Sequence, residues 1–487
     1  MTSEHHQFLV VGAGPTGLGA IDRLFDLGCL HDTVLLEGAH NAGGLARSVT
    51  DSSGFTWDLG GHVVFSHYEH FDRVFERELR GDYSMIERES WVRCANAWVP
   101  YPFQNNLRYL PRELAESCVA GLERAHKAGR SAHAANFAEF IDSVFGDEIA
   151  TLFMRPYNGK VWAFPPEKMQ HTWIGERIAI TDPGRARRNL DQGLDDFGWG
   201  PNNRFRYPIY GTGALYQRLA ERHAEAIRFG DPVVEIDTAR RTATTRSGAV
   251  HTYEHLLSTM PLDVLFGHVL VDAPDALRRS AERLVYAAGR FVGLGIKRPC
   301  PRRWSWMYFP GEECPFYRVT YLSNYSPHIT PKDGGYYSLL CEMSEEPTRT
   351  KSAENLVEET ICGLERSDLL EPGERDDIVS VWHERVERSY PVPSLSRDKV
   401  LEELIPWLDD RGIASRGRFG LWKYEVSNTD HSFMQGVEWA DRVVGGAPET
   451  TIGIRYEVAP DGRGRAISGR PPVAGSGEKR VQADRSP

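Results

Sequence analysis

Gly12-Ala13-Gly14-Pro15-Thr16-Gly17 sets three glycines at the spacing that lets a main chain press against a pyrophosphate. Glycine permits both the tight turn and the close approach. A helix starting there would direct its free N–H groups at anionic oxygens. Glu37 follows Gly17 by twenty residues, where an acid accepts hydrogen bonds from a ribose. Together these residues predict a site for an ADP-containing dinucleotide. Two more glycine pairs narrow the choice: Gly43-Gly44, followed by Leu45-Ala46, and Gly60-Gly61, followed by His62. A nicotinamide has no use for them, whereas a large flat flavin needs backbone within contact distance. The expected cofactor is therefore FAD.

The surrounding pattern supplies the elements that would hold this turn. Phe8-Leu9-Val10-Val11 reads as a buried parallel strand, residues 18–27 as an amphipathic helix, and Thr33-Val34-Leu35-Leu36 as the next strand. Phe137, Phe140, Ile141, Val144 and Phe145 fall on one helical face, with Gly146 as a stop. Short β-rich runs recur between about 203 and 235 and between about 290 and 390, and the strands near 233 and 256 look like returns to the first domain. The predicted fold is α/β: a Rossmann-like FAD-binding domain carrying an inserted helical domain and an antiparallel β-sheet domain. Its FAD-binding part is discontinuous, over 1–104, 235–290 and 400–455. The helical domain takes 105–200, and the antiparallel sheet takes 201–234 with 291–399. Residues 460–487, rich in Gly, Arg and Pro, are expected to be disordered.

Composition excludes several classes. The chain has 487 residues, is 41% hydrophobic and carries a net charge of −11, which argues against general nucleic-acid binding. No apolar run suffices for a membrane span or a signal peptide. Seven cysteines, odd in number and without CxxC spacing, suggest free thiols in a reducing cytoplasm. No metal-ligand motif is seen, so no metal is expected.

Three clusters point to a substrate: residues 98–106, 153–162 and 416–428, each mixing aromatic side chains with amides or guanidinium groups. Flat faces stack a base, amides read its edge, and arginine or tyrosine donors bind a diphosphate, as a nucleotide-sugar site requires. With these clusters, the segments Gly60 to His67, Trp199-Gly200-Pro201-Asn202, Cys314-Pro315-Phe316-Tyr317-Arg318, Ser323-Asn324-Tyr325-Ser326-Pro327 and Arg416 to His431 resemble the UDP-galactopyranose mutase family. The eukaryotic-type branch is the closer match, and the resemblance spans residues 7 to 450.

The resemblance implies an enzyme that interconverts UDP-galactopyranose and UDP-galactofuranose. It would act through an adduct of the anomeric carbon with N5 of reduced FAD, with no net redox change. It implies a uridine pocket of Tyr101, Phe103, Gln104, Phe153, Tyr157, Asn158 and Trp162. A diphosphate clamp would comprise Arg318, Tyr308, Tyr390 and Tyr424. Arg177, Asn202, Trp306 and Arg418 would surround the sugar and the flavin, and His62 would lie near N5. Val234, Arg418, Asn428, Thr429 and Ser432 join the glycine motifs as cofactor contacts. Arg88 and Ser90 match positions that help NADPH or NADH reduce the flavin. The expected catalytic set is His62, Arg177, Asn202, Arg318 and Arg418.

Arg155 is read as an ion-pair partner, and Cys94 and Cys314 as packing residues. Residues 207–213 depart from the family pattern at a turn expected near the flavin. The segments at His62–His67 and 201–208 are expected to act as mobile flaps. Alternatives are a mutase on a related nucleotide sugar, or an amine-oxidase-like FAD oxidoreductase. The implied partner is a UDP-sugar. A cytoplasmic location is expected, with no nucleic acid and no membrane, and the sequence leaves open whether the chain forms a homo-oligomer.

Overall fold

The structure is a computed structural model that describes residues 3–129, 134–175, 177–197, 203–349, 352–458 and 464–468. Strand Ser3–Val11 runs straight into the glycine turn, helix Pro15–Asp26 follows, and strand Thr33–Glu37 pairs in parallel beside the first. Both faces of this sheet are covered, so the first strand is apolar throughout its second half. Phe8 and Val10 enter one core, and Leu9 and Val11 enter the core on the opposite face.

The sheet's order is 233–237, 242–245, 250–258, 3–11, 33–37 and 227–229, with 413–415 also paired to 250–258. Helix Thr429–Gly445 closes one face by lying on helix Pro15–Asp26. Contact there is backbone on backbone. A Cβ on Gly436 would lie 1.9 Å from the Thr16 carbonyl oxygen, and one on Gly19 would lie 2.3 Å from that of Phe433.

The second sheet has seven strands, in the order 378–391, 286–296, 337–345, 318–321, 306–308, 90–94 and 97–100. It is antiparallel except where 306–308 meets 90–94. Helices Arg112–Ala128, Phe137–Ile149, Arg155–Trp162 and Pro183–Gln192 form the helical unit around its own aromatic core. Gly146 interrupts the helical path at φ 75°, as its reading as a stop predicts, but the chain then resumes helical geometry.

Two expected boundaries shift. Helix Gly213–Arg222 and strand Ile227–Phe229 belong with the first sheet rather than the antiparallel domain, and strand Val233–Asp237 joins that sheet two residues ahead of the border at 235. Strands Ser90–Cys94 and Ala97–Pro100 belong to the second sheet rather than the FAD-binding part. Within the expected disordered tail, strand Gly464–Ser468 pairs with Arg455–Val458, which corrects that reading for those five residues. The remainder of the tail, residues 460–463 and 469–487, lies outside the described residues. Among the described residues, no helix is long and apolar enough to cross a membrane.

Candidate active site

Where the first strand ends, the glycine turn opens into a cavity of about 450 Å³. Gly12, Gly14, Pro15, Thr16, Glu37, Gly44, Leu45, Ala46, Gly60, Gly61, Arg418, Asn428, Thr429 and Ser432 all line it. Gly14 occupies the N-cap position of helix Pro15–Asp26 without a side-chain cap, and a Cβ built on it would meet nothing within 4 Å. The helix therefore offers uncapped N–H groups beside open space, and a pyrophosphate fits both. Glu37 is held at the edge by accepting from the Ala13 and Ala39 amides, at 2.6 and 2.7 Å. Gly60 takes φ 110°, and His62 places its Nε2 3.1 Å from the Leu45 carbonyl oxygen. Burial holds the His62 imidazole below its ordinary pKa, so it is neutral at pH 7.

Other expected cofactor residues act differently. Gly17 serves packing, since a Cβ there would lie 1.9 Å from the Gly12 carbonyl oxygen. Gly43, at φ 104°, turns the chain and donates to Ala13 at 2.8 Å. Val234 is 40% exposed and does not line the cavity. It points outward from its strand, whereas neighbouring Val233 enters the core. The 207–213 turn also lies back from the cavity wall. Tyr207 and Thr212 donate to buried Asp58 at 2.7 and 3.0 Å, bracing the strand that leads to Gly60.

A second cavity of about 310 Å³ joins the first through shared walls at Phe65, Arg318, Tyr424 and Asn428. Tyr101, Phe153, Tyr157, Asn158, Trp162, Trp306, Tyr308, Arg88 and Arg177 line it. The indole N–H groups of Trp162 and Trp173 are buried without a hydrogen-bond partner among the described residues, so both are donors available to a ligand. Burial raises the phenols of Tyr157, Tyr308 and Tyr390 above their ordinary pKa, keeping them protonated donors.

Phe103 and Gln104 lie behind this wall. Phe103 packs on Phe153 with ring centroids 4.9 Å apart, and Gln104 donates to the Ala179 carbonyl. Tyr390 lines the first cavity and meets Tyr317 at 3.1 Å, oxygen to oxygen. Ser90 is buried in its strand, 4% exposed, and does not line either cavity. Asn202 lies outside the described residues.

The arginines are each fixed by a different device. Arg418 donates through Nε to the Ser389 carbonyl at 2.9 Å and sits 5.1 and 5.2 Å from the Tyr390 and Tyr424 rings. Arg177 donates to the Glu425 carbonyl at 2.7 Å and lies over Tyr424. Arg318, at the junction of the cavities, is gripped by Glu342 through Nε at 2.5 Å and Nη2 at 2.7 Å. That carboxylate is 1% exposed and also accepts from the Gly61 amide at 3.0 Å and the Tyr317 hydroxyl at 3.3 Å.

Glu342 escaped the sequence reading, although a lone acid in the apolar run Tyr337–Met343 is a signal. Thr259, Phe291 and Ser389 also line the first cavity without having been foreseen. His67 lines the second cavity and contacts Asp430 through Nδ1 at 2.7 Å, and His431 meets the other carboxylate oxygen at 3.1 Å. Burial works to raise the Asp430 pKa, but the two imidazoles outweigh it and hold the carboxyl well below the usual range. Arg155 pairs with Asp142, Nε to Oδ1 at 2.8 Å, as read. Cys94 and Cys314 are buried packing residues, their thiols pushed by burial up to about 12.

An uncapped glycine turn, an acid beside it and a second glycine pair across the cavity form a cradle that suits FAD. The flavin containing amine oxidoreductase family matches residues 15–394. A reduced UDP-galactopyranose mutase crystal structure is 43% identical, covers 93% of this chain and 96% of that one, and superposes with a TM-score of 0.88. The chain belongs to the UDP-galactopyranose mutase family.

A putative protoporphyrinogen oxidase from Exiguobacterium sp. 255-15 is 16% identical, covers 89% of this chain and 98% of that one, and has a TM-score of 0.65. Putrescine oxidase bound to putrescine is 14% identical, covers 91% of this chain and 100% of that one, and has a TM-score of 0.62. These two share the fold.

Proposed function

We propose that the protein interconverts UDP-galactopyranose and UDP-galactofuranose on a flavin held reduced, with no net redox change. One observation carries the reading: the flavin cradle opens through Arg318 directly into an aromatic chamber walled by tyrosine and tryptophan donors. A reduced flavin supplies a nitrogen nucleophile for the anomeric carbon when bound. The chain's part is to bind, orient and balance charge. Aromatic faces at Phe153, Tyr157 and Trp162 suit a uracil ring. Arg318 and the protonated phenols of Tyr308 and Tyr390 suit a diphosphate, stabilising it both as substrate and as leaving group. Arg418, held by the Ser389 carbonyl, puts a permanent cation on the first cavity's wall, which would suit an anionic reduced ring.

We further infer that NADPH or NADH is the reductant. Arg88 supports this, because it lines the second cavity and lies 5.4 Å from the Tyr101 ring. Arg88 also donates to Asn203 at 2.8 Å. A cytoplasmic location accords with the cysteines, all of which are unpaired.

Purified protein incubated with UDP-galactofuranose under anaerobic conditions tests the reading by chromatography of the products. Conversion to UDP-galactopyranose with NADPH, and none with oxidised flavin, is the expected result. Bound, reducible flavin with no turnover of that sugar would remove the substrate assignment while leaving the flavoprotein intact.

A further inference from the structure

Strand Ser3–Val11 pairs in parallel with Val250–Ser258, Glu4 standing opposite His251. Residues two apart in a strand share a face, so Glu4, His6 and His251 project to the same side of the sheet. His6 Nε2 lies 3.2 Å from His251 Nδ1. The Glu4 carboxylate lies 3.6 Å from the first nitrogen and 3.9 Å from the second. The two imidazoles are mostly sheltered, at 15% and 8% side-chain exposure, while Glu4 is 68% exposed. Nitrogens this close cannot both carry a proton towards the other, so at least one lone pair faces the gap.

We propose that Glu4, His6 and His251 bind a divalent transition-metal ion, with zinc the best fit. Zinc–nitrogen bonds of about 2.0–2.1 Å in tetrahedral geometry set ligand atoms roughly 3.3–3.4 Å apart. The histidine pair already meets that spacing to within about 0.2 Å. Glu4, on an exposed side chain, closes the remainder by turning, and solvent fills the fourth position. Imidazole ligands favour zinc, nickel and copper over magnesium and calcium. Asp231 and Arg228 contribute charges of opposite sign near His251. The site is independent of the flavin chemistry, because His6 and Gly12 lie about 20 Å apart along the extended strand. It would tie the cofactor-bearing strand to its neighbour at the end remote from the turn. The ligands are separated by 245 residues in sequence, so no linear motif signals them.

The test uses the full-length holoenzyme, stripped of adventitious metal by a chelator that is then removed. Zn²⁺ alone is titrated by calorimetry, with Mg²⁺ as the control. The expected result is one equivalent of zinc per chain, a higher thermal midpoint and no magnesium heat. His251→Ala should lose at least tenfold in zinc affinity and Glu4→Gln a smaller factor, both retaining flavin content and mutase turnover. Should His251→Ala fail to fold, His6→Gln takes its place. Cu²⁺ bound to the parent protein should also show nitrogen hyperfine coupling that this variant reduces. Absence of stoichiometric zinc binding would overturn the proposal. So would zinc affinity unchanged in the histidine variants, or zinc binding abolished by UDP, which would place the ion at His67, Asp430 and His431 instead.

Discussion

Arg318 and Glu342 should behave as one unit, and a double-mutant cycle measures whether they do. The carboxylate is 1% exposed and the arginine side chain 23%, with bonds of 2.5 and 2.7 Å between them. Charges roughly 4 Å apart interact by about 4 kcal/mol at an effective dielectric of 20. Removing one partner of such a pair strands the other and costs about 3–5 kcal/mol. Glu342→Gln keeps an oxygen for the Gly61 amide and strands a partly solvated guanidinium, so its cost falls near 3 kcal/mol. Arg318→Ala strands a fully buried carboxylate and falls near 4 kcal/mol, because only the Gly61 and Tyr317 donors remain. For 487 residues the unfolding entropy is about 1 kcal/mol per kelvin, so each kcal/mol moves the midpoint by roughly 1 °C. The flavin-saturated single variants should therefore melt about 3–4 °C low by calorimetry. The double variant should fall no further than the worse single, a coupling of about 3 kcal/mol. Midpoint losses that simply add, to within 1 °C, would refute the pairing argument.

Gly436→Ala should drive the two glycine-bearing helices apart and cost several kcal/mol, since its Cβ would sit 1.9 Å from the Thr16 carbonyl oxygen. Flavin absorbance per chain after gel filtration should drop. Asp430→Asn tests a proton linkage. The folded carboxyl is held below its unfolded value of about 3.9, so its stabilisation is complete above that pH and declines as pH falls. The melting difference between parent and variant should shrink as pH falls below about 4. Tyr308→Phe and Tyr390→Phe should each weaken UDP binding by roughly 10- to 150-fold, the worth of a hydrogen bond to a charged group. Because burial raises both phenols, parent affinity should show no tyrosine titration between pH 6 and 9 by calorimetry.

The cofactor turn is readable in sequence because strand, turn, helix and acid are all local, and a glycine spacing constrains backbone wherever it occurs. The aromatic clusters are readable for a similar reason: each lies within about ten residues, and the second cavity gathers members of all three. What escapes is non-local. Glu342 reaches Arg318 across adjacent strands and Gly61 across 281 residues. Strand Tyr83–Glu87 pairs with Arg204–Pro208, so the border placed between those segments could not be drawn from either one alone. Val234 shows the cost of strand parity. The apolar run near 233 locates the strand, but one residue decides which face meets the core. Phe103 and Gln104 lie in the expected region, yet they support the wall rather than form it, a depth that periodicity does not encode.

The close approach of Gly436 to Thr16 also constrains how the protein is made. The turn leaves the ribosome long before the helix that completes its cavity, which ends at Gly445. At about 5–20 residues per second, the interval between them is roughly 20–90 s. Over that interval the nascent turn has no closing helix, so lasting flavin capture must wait until Thr429–Gly445 has been made. A stop codon between Glu37 and the Thr429–Gly445 helix would yield a chain with an intact nucleotide fingerprint and no lasting hold on its cofactor.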